Sequence, residues 1–310
     1  MEKLKRVALI LVIGVSVSLV VFELLFCLNL TNFSGFNSLL KATGCLQEDT
    51  DSSFIEFCDI GQGDCTIIKS GDSNIVIDFG SADDSDELYF HLKDLGIKEL
   101  DLAVVTHYHQ DHLGGLCDLL ERMTVKNILI NSSFAKDYDE SAVTRFKELV
   151  SQKGVKVVEP NVGTIANVGQ SKIEVLSVLK DASEENERSV CLKLTHYSLS
   201  VIFTGDSEQE AESALLESGI PLKADILKLG HHGSSTSSSE KLLDAADPSV
   251  VIASCGYNNL YNHPSKEVLD RIKNKGITLY RTDLDGNITV TVKEKNFLVT
   301  TDRGKENDNT

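Results

Sequence analysis

The residues best equipped for chemistry lie in the run His107-Tyr-His109-Gln-Asp111-His112. Three imidazoles and a carboxylate within six positions are a donor set for borderline divalent metals, and zinc, manganese or iron accept that mixture of nitrogen and oxygen. The spacing divides the donors. His107 and His109 alternate off an extended backbone and project to one side, whereas Asp111 and His112 follow after the chain has begun to turn. One ion at His107 and His109 and a second at Asp111 and His112 is the economical arrangement. Two ions held about 3.5–4 Å apart acidify a shared water, which then attacks phosphorus or a carbonyl carbon.

Such a cluster needs rigid elements to deliver it. Four apolar residues, Leu102 to Val105, precede it and read as a buried strand, so the donors stand at a strand's C-terminal end, where α/β sheets place their ligands. Gly114 and Gly115 are expected to turn the backbone tightly before a helix. Asp78, Asp206 and the pair His231-His232 also follow apolar runs. Asp206 is expected to bridge the two ions, with a helix-cap role as its alternative. Asp78 is expected to accept a hydrogen bond from a ligand imidazole. Neighbouring side chains diverge, so His231 and His232 compete for one role: His231 is the expected ligand, and His232 the expected proton donor or phosphate contact. Asp111 is expected to take the water's proton as well as to ligate. Asp64, Asn186, Ser189, Ser234, Asn258 and His263 are further candidates for reaching the pocket, with capping and turn formation as the competing explanation. His196 is either a further donor to the first ion or a hairpin residue.

The rest of the chain supplies the frame. Phe54 to Cys58, Cys65 to Ile68 and Ile75 to Gly80 read as an antiparallel start. Strands and helices then alternate to Val158, and a second round begins with antiparallel strands near Gly163 and ends with strands at Asn287 to Val292 and Asn296 to Val299. Two such halves predict two packed mixed sheets with helices outside.

At 310 residues, 41% hydrophobic and 25% charged, the composition is that of a globular protein. A net charge of -17 argues against a surface that attracts polyanions everywhere, although bound cations can neutralise phosphates locally. The basic head Lys3, Lys5 and Arg6 precedes an apolar run, so residues 1–28 are expected to be a signal peptide or membrane anchor, placing the rest outside the cytoplasm, anchored or secreted. Residues 29–52 read as a linker, 53–300 as the hydrolase domain and 301–310 as a flexible tail. Seven cysteines show no dense staple pattern, though Cys58 and Cys65 could face each other across a hairpin.

The motif His107-Tyr-His109-Gln-Asp111-His112 resembles the H-x-H-x-D-H signature of the metallo-β-lactamase superfamily. Asp59-Ile-Gly-Gln-Gly-Asp64, Ile77-Asp78-Phe-Gly80, Thr204-Gly-Asp206, Leu229-Gly-His-His-Gly-Ser234 and Tyr261-Asn-His-Pro264 resemble, in order, the extracellular metallo-hydrolase domain of the ComEC/Rec2 competence proteins. The resemblance implies a four-layer αββα fold with two mixed sheets sandwiched between helices. It also implies metal ligation by His107, His109, Asp111, His112, Asp206 and His231, with two zinc or manganese ions. Superfamily members often carry a further histidine between the first motif and the bridging Asp, and no residue here matches it sharply. In the competence proteins this domain is proposed to degrade the DNA strand that is not imported. Their multispanning channel contrasts with the one apolar segment here. The expected activity is therefore phosphodiesterase or nuclease, acting on DNA or another phosphodiester without an obligate protein partner. A lactamase or lactonase and a non-catalytic metal-binding surface module are the alternatives.

Overall fold

A computed structural model describes residues 53–134, 140–293, 296–304 and 307–309. The expected anchor and linker, residues 1–52, lie outside them, and the architecture below is that of the unit Asp51–Thr310. Among the described residues no helix is long and apolar enough to cross a membrane.

Strands β1 (Phe54–Phe57), β2 (Cys65–Ser70) and β3 (Ser73–Phe79) form an antiparallel meander. Helices α1 (Ser85–Asp94), α2 (Gln110–Arg122) and α3 (Glu140–Lys153) then alternate with β4 (Glu99–Leu100), β5 (Leu102–Val104), β6 (Thr124–Val125), β7 (Asn127–Leu129) and β8 (Lys156–Val158). The neighbours β3, β5, β7 and β8 run parallel, as crossovers through helices require. The second half repeats the plan. Strands β9 (Ile165–Val168), β10 (Ser171–Ser177), β11 (Cys191–His196) and β12 (Leu199–Phe203) are antiparallel. The strands β13 (Ile226–Lys228), β14 (Val250–Ala253) and β15 (Thr278–Arg281) continue parallel from β12 through α4 (Gln209–Glu217), α5 (Glu240–Ala246) and α6 (Lys266–Lys275).

After the short α7 (Thr282–Asp285), the hairpin β16 (Ile288–Lys293) and β17 (Asn296–Thr301) crosses back to the first sheet, where Val290 lies opposite Ile55. A three-residue β18 (Asn307–Asn309) extends that edge, in a stretch expected to be a flexible tail. One sheet thus has the order β18-β17-β16-β1-β2-β3-β5-β7-β8 and the other β15-β14-β13-β12-β11-β10-β9, with β4 and β6 paired apart.

The period of two along each strand sorts residues between layers. On β1, Ile55 and Phe57 face the second sheet, and the Phe57 ring stacks on Phe203 at 5.9 Å. Each such buried side chain contributes about 1.5–3 kcal/mol. Cys58, Ile67 and Val76 instead join Leu88, Leu92 and Leu116 under the helices of the first half, and Leu227 and Val251 join Leu215, Leu243 and Val268 under those of the second. The result is the expected four-layer αββα sandwich.

Gly114 and Gly115 lie inside α2 rather than in a turn. A Cβ on Gly115 would stand 2.2 Å from the Phe79 carbonyl oxygen, and one on Gly114 would stand 2.6 Å from Ala82 N. Their lack of a side chain lets α2 press against the end of β3, and it puts Asp111 and His112 in the first helical turn. The five described cysteines, Cys58, Cys65, Cys117, Cys191 and Cys255, are free and buried.

Candidate metal centre

Three connections converge at the C-terminal ends of parallel strands from both sheets. They are the segment after β5 with His107 to His112, the one after β12 with Asp206, and the one after β13 with His231 and His232. Asp111, His112, Asp206 and His232 each offer a donor atom within 4.8 Å of the others. His112 Nε2 is 3.2 Å from Asp206 Oδ1, and His232 Nε2 is 3.4 Å from Asp206 Oδ2 and 3.3 Å from Asp111 Oδ2. His112 Nε2, Asp206 Oδ1 and His232 Nε2 are buried and lack hydrogen-bond partners. Leaving one buried polar atom unsatisfied costs about 1–3 kcal/mol. Three of them converging, with two imidazoles and two carboxylates as donors, fit a divalent cation.

The atoms behind these donors set their orientation. His112 Nδ1 is 2.9 Å from Asp78 Oδ2, and Asp78 also accepts from Thr106 N and Thr106 Oγ1, each at 2.8 Å. In the neutral ring, which a bound cation selects, a proton held on Nδ1 leaves Nε2 with its lone pair toward the centre. His232 Nδ1 likewise faces the Ser254 carbonyl at 3.1 Å and Asp64 Oδ1 at 3.3 Å. The other Asp64 oxygen is in direct contact with the buried Lys228 Nζ. Asp206 N donates to Ser189 Oγ at 3.0 Å, and Gly205 sits so close to Ser189 and Thr106 that a Cβ would come within 2.9 Å of each. Across Asp206 lies a second donor pair. His107 Nε2 is 3.1 Å from His109 Nδ1 and 4.0 Å from Asp206 Oδ2.

The two histidines after β13 exchange their expected places. His232 is buried within the donor group, whereas His231 stands at its margin, with Nε2 3.8 Å from Asp206 Oδ2 and Nδ1 3.0 Å from Glu208 Oε1. The reason is backbone conformation. His231 and His232 take φ of 48° and 54°, so the chain does not continue straight from β13, and the second ring rather than the first tucks against the residue after β14. An extended continuation of β13 would bring the first ring to the donors; the left-handed turn groups the second with them.

The other candidates divide. Asn186 and His263 line the cavity above the donors; Asn186 Nδ2 donates to Glu208 Oε1 at 3.3 Å, and the His263 ring is 5.5 Å from that of His231. Ser234 is buried and paired with Thr236, and Asn258 lies on an exposed turn; neither lines that cavity. His196 bonds Ser171 Oγ at 2.8 Å through Nδ1 and is not in the donor group. Sequence reasoning passed over Gln62, Thr106, Glu208 and Lys228. Only Lys228 carried a signal, a charge amid the apolar strand Ile226-Leu-Lys-Leu.

Electrostatics follow from this burial. Burial opposes charge on Asp206, but the imidazoles of His112 and His232 overcome it and hold the carboxyl well below its usual range. Burial likewise disfavours the His112 cation, yet Asp206, Asp78 and Asp111 raise its pKa well above that of free imidazole, and Asp206 and Asp64 do the same for His232. Burial, reinforced by His112, pushes His107 well below.

Residues 58–257 match the family profile described as the metallo-beta-lactamase superfamily. The chain belongs to that superfamily. Among curated proteins it is similar to ComE operon protein 3 of Bacillus subtilis, 33% identical over 201 residues, which cover 64% of this chain and 26% of that protein. It is also similar to competence protein ComA of Neisseria gonorrhoeae, 29% identical over 232 residues, which cover 74% of this chain and 30% of that protein. The chain thus spans less than a third of the length of these relatives. The metallo-beta-lactamase fold protein YhfI of Bacillus subtilis superposes with a TM-score of 0.51 at 15% identity, covering 74% of this chain and 96% of that one, a likeness of fold. Superfamily membership and the clustered donors support a metal-dependent hydrolase with one or two divalent-metal sites.

Proposed function

We propose that this chain is a metal-dependent phosphodiesterase acting on nucleic-acid strands, and that residues 1–28 place it outside the cytoplasm. The observation that carries the reading is the position of the donors, which open onto a cavity of about 500 Å³ lined by polar groups including Gln62, Asn186, His231 and His263. A lactam or lactone pocket of ordinary kind is mostly apolar. A floor of carboxylates and imidazoles walled by amide and imidazole donors suits an anionic, extended substrate better. The motif resemblance to the ComEC/Rec2 hydrolase domain, together with similarity to the competence protein ComA, supports DNA as the substrate.

When bound, divalent ions supply Lewis acidity and a water acidified toward neutral pH. His107, His109, Asp111, His112, Asp206 and His232 are the residues that would hold them. Asp111, whose side chain is 35% exposed and faces the cavity, is placed to accept the proton of the attacking water. His231, against Glu208 and facing the same cavity, takes the role expected of His232 and donates to the leaving oxygen. Asn186 and His263 orient phosphoryl oxygens.

The test is turnover by the purified full-length chain with manganese or zinc. The substrates are bis-p-nitrophenyl phosphate, single- and double-stranded DNA, a β-lactam and a lactone. Cleavage of phosphodiesters, lost in Asp206→Asn, is expected. Hydrolysis confined to the lactam or lactone, or tight metal binding without any turnover, would overturn the proposal.

A further inference from the structure

A second group of ligand-type side chains lies under α1, on the outer face of the first sheet. Glu56 and Cys58 are two residues apart on and just after β1 and so point to the same side, away from the inter-sheet core that receives Ile55 and Phe57. His91, in the last turn of α1, meets them there. One donor atom from each of the three lies within 4.8 Å of the others. Glu56 Oε1 is in direct contact with His91 Nε2, Glu56 Oε2 accepts from Thr289 Oγ1 at 3.1 Å, and the Cys58 thiol makes a long contact, 3.9 Å, to the Glu56 carbonyl and interacts with Cys65. Cys65 stands directly opposite Cys58, whose N donates to the Cys65 carbonyl at 3.0 Å.

The setting is unusual for such groups. Glu56 is 7% exposed and Cys58 4%, and their neighbours in this layer are Ile67, Leu88 and Leu92. The half-buried imidazole of His91 leaves one side open for entry. Asp94 and Asp302 add negative field at His91, and Asp302 adds it at Cys58 too. A carboxylate oxygen, a thiol sulfur and an imidazole nitrogen together select a borderline, thiophilic cation and not an oxygen-seeking one such as magnesium or calcium.

We infer that Glu56, Cys58 and His91 form a metal site separate from the candidate centre, which takes one divalent cation of the zinc class and ties α1 to β1. Binding releases to solvent both the Cys58 thiol proton and the proton held between Glu56 Oε1 and His91 Nε2, so that thiolate, carboxylate and imidazole lone pair ligate. It also replaces the direct contact between Glu56 and His91 with two metal bonds, for which the donors settle roughly 3.5 Å apart. The site does not depend on the proposed phosphodiesterase activity, since none of these residues belongs to that centre.

Cobalt(II) is the probe that separates the two sites, because the candidate centre contains no sulfur. The full-length chain, stripped by chelator and kept under reductant, is titrated with cobalt while the thiolate-to-cobalt charge-transfer band in the near ultraviolet is followed. The band is expected to saturate at one equivalent per chain and to vanish on adding zinc. Cys58→Ser should abolish it. His91→Gln, whose amide can still donate to Glu56, should weaken cobalt binding at this site at least about tenfold while phosphodiester turnover stays unchanged. Absence of the band in the parent chain, or a band unaltered in His91→Gln, overturns the site and leaves a buried thiol beside an ordinary Glu56–His91 ion pair.

Discussion

Replacing Asp78 by asparagine changes a single acceptor atom at the back of His112, and its effect can be worked through from the contacts. Thr106 N donates to Asp78 Oδ1, while Oδ2 takes both Thr106 Oγ1 and His112 Nδ1. In Asp78→Asn the new amide keeps the first bond with its carbonyl oxygen, which turns its NH₂ toward Thr106 Oγ1 and His112 Nδ1. Two N–H donors then face each other where Asp78 and His112 are 2.9 Å apart. The ring must rotate or move its proton to Nε2, the atom that points at Asp206, and either change removes a ligand lone pair. Loss of the partner behind a ligating histidine typically costs 10–100-fold in metal affinity, or about 1.4–2.7 kcal/mol. Asparagine also tolerates the left-handed backbone of position 78, where φ is 57°, so the fold survives and the loss stays local. Alanine there would add backbone strain and blur the reading. Competition against a chromophoric chelator at neutral pH measures the affinity, and thermal unfolding in excess chelator checks the fold. Affinity within twofold of the parent chain, with folding intact, would refute the claim that Asp78 sets the His112 lone pair.

Other substitutions test neighbouring steps. His232→Ala should lower metal content and abolish turnover, whereas His231→Ala should keep its metal and lose about 10²–10⁴-fold in turnover, the usual weight of a general acid; elemental analysis beside a phosphodiester assay decides it, and the reverse pattern would restore His231 as ligand. Gly115→Ala drives a methyl group into the Phe79 carbonyl, and overpacking of this kind should cost about 1–3 kcal/mol, lowering Tm by several degrees in a thermal melt. Burial pushes the His196 pKa down to about 4. Between its unfolded value near 6.5 and about 4 the unfolded chain therefore binds the extra proton, so stability falls with falling pH by on the order of 3 kcal/mol. Denaturant unfolding across that window should show a shallower acid decline in His196→Phe than in the parent chain; equal slopes would mean that His196 does not set the acid response.

Legibility in the sequence followed how locally each feature is determined. The layers could be read because apolar alternation in stretches such as Phe54 to Phe57, and continuous apolar runs such as Leu102 to Val105, report directly which faces are covered. The donor cluster could be read because its residue types have few other uses at a strand end. What escaped depended on backbone turns or on distant partners. The left-handed φ of His231 and His232 reverses which ring points inward, and two adjacent histidines give no hint of it. Gly114 and Gly115 announced a special backbone position, yet whether that was a turn or a close helix packing depended on where β3 ended. Glu208 reaches His231 across a connection between separate strands, and the pairing of Asp64 with Lys228 spans 164 residues, beyond any local period. The Glu56, Cys58 and His91 group escaped similarly, because α1 brings His91 over a strand 35 residues earlier.

Asp111, His112, Asp206 and His232, drawn from both halves of the sandwich, form the expected seat of a divalent cation. Anomalous diffraction from crystals grown with zinc or manganese, recorded above and below the metal's absorption edge, tests it most directly. A peak is expected within the bounds of His112 Nε2, His232 Nε2 and the carboxylates of Asp206 and Asp111, with His231 outside its coordination sphere. A peak ligated by His231 in place of His232, or none at this position at saturating metal, would contradict it.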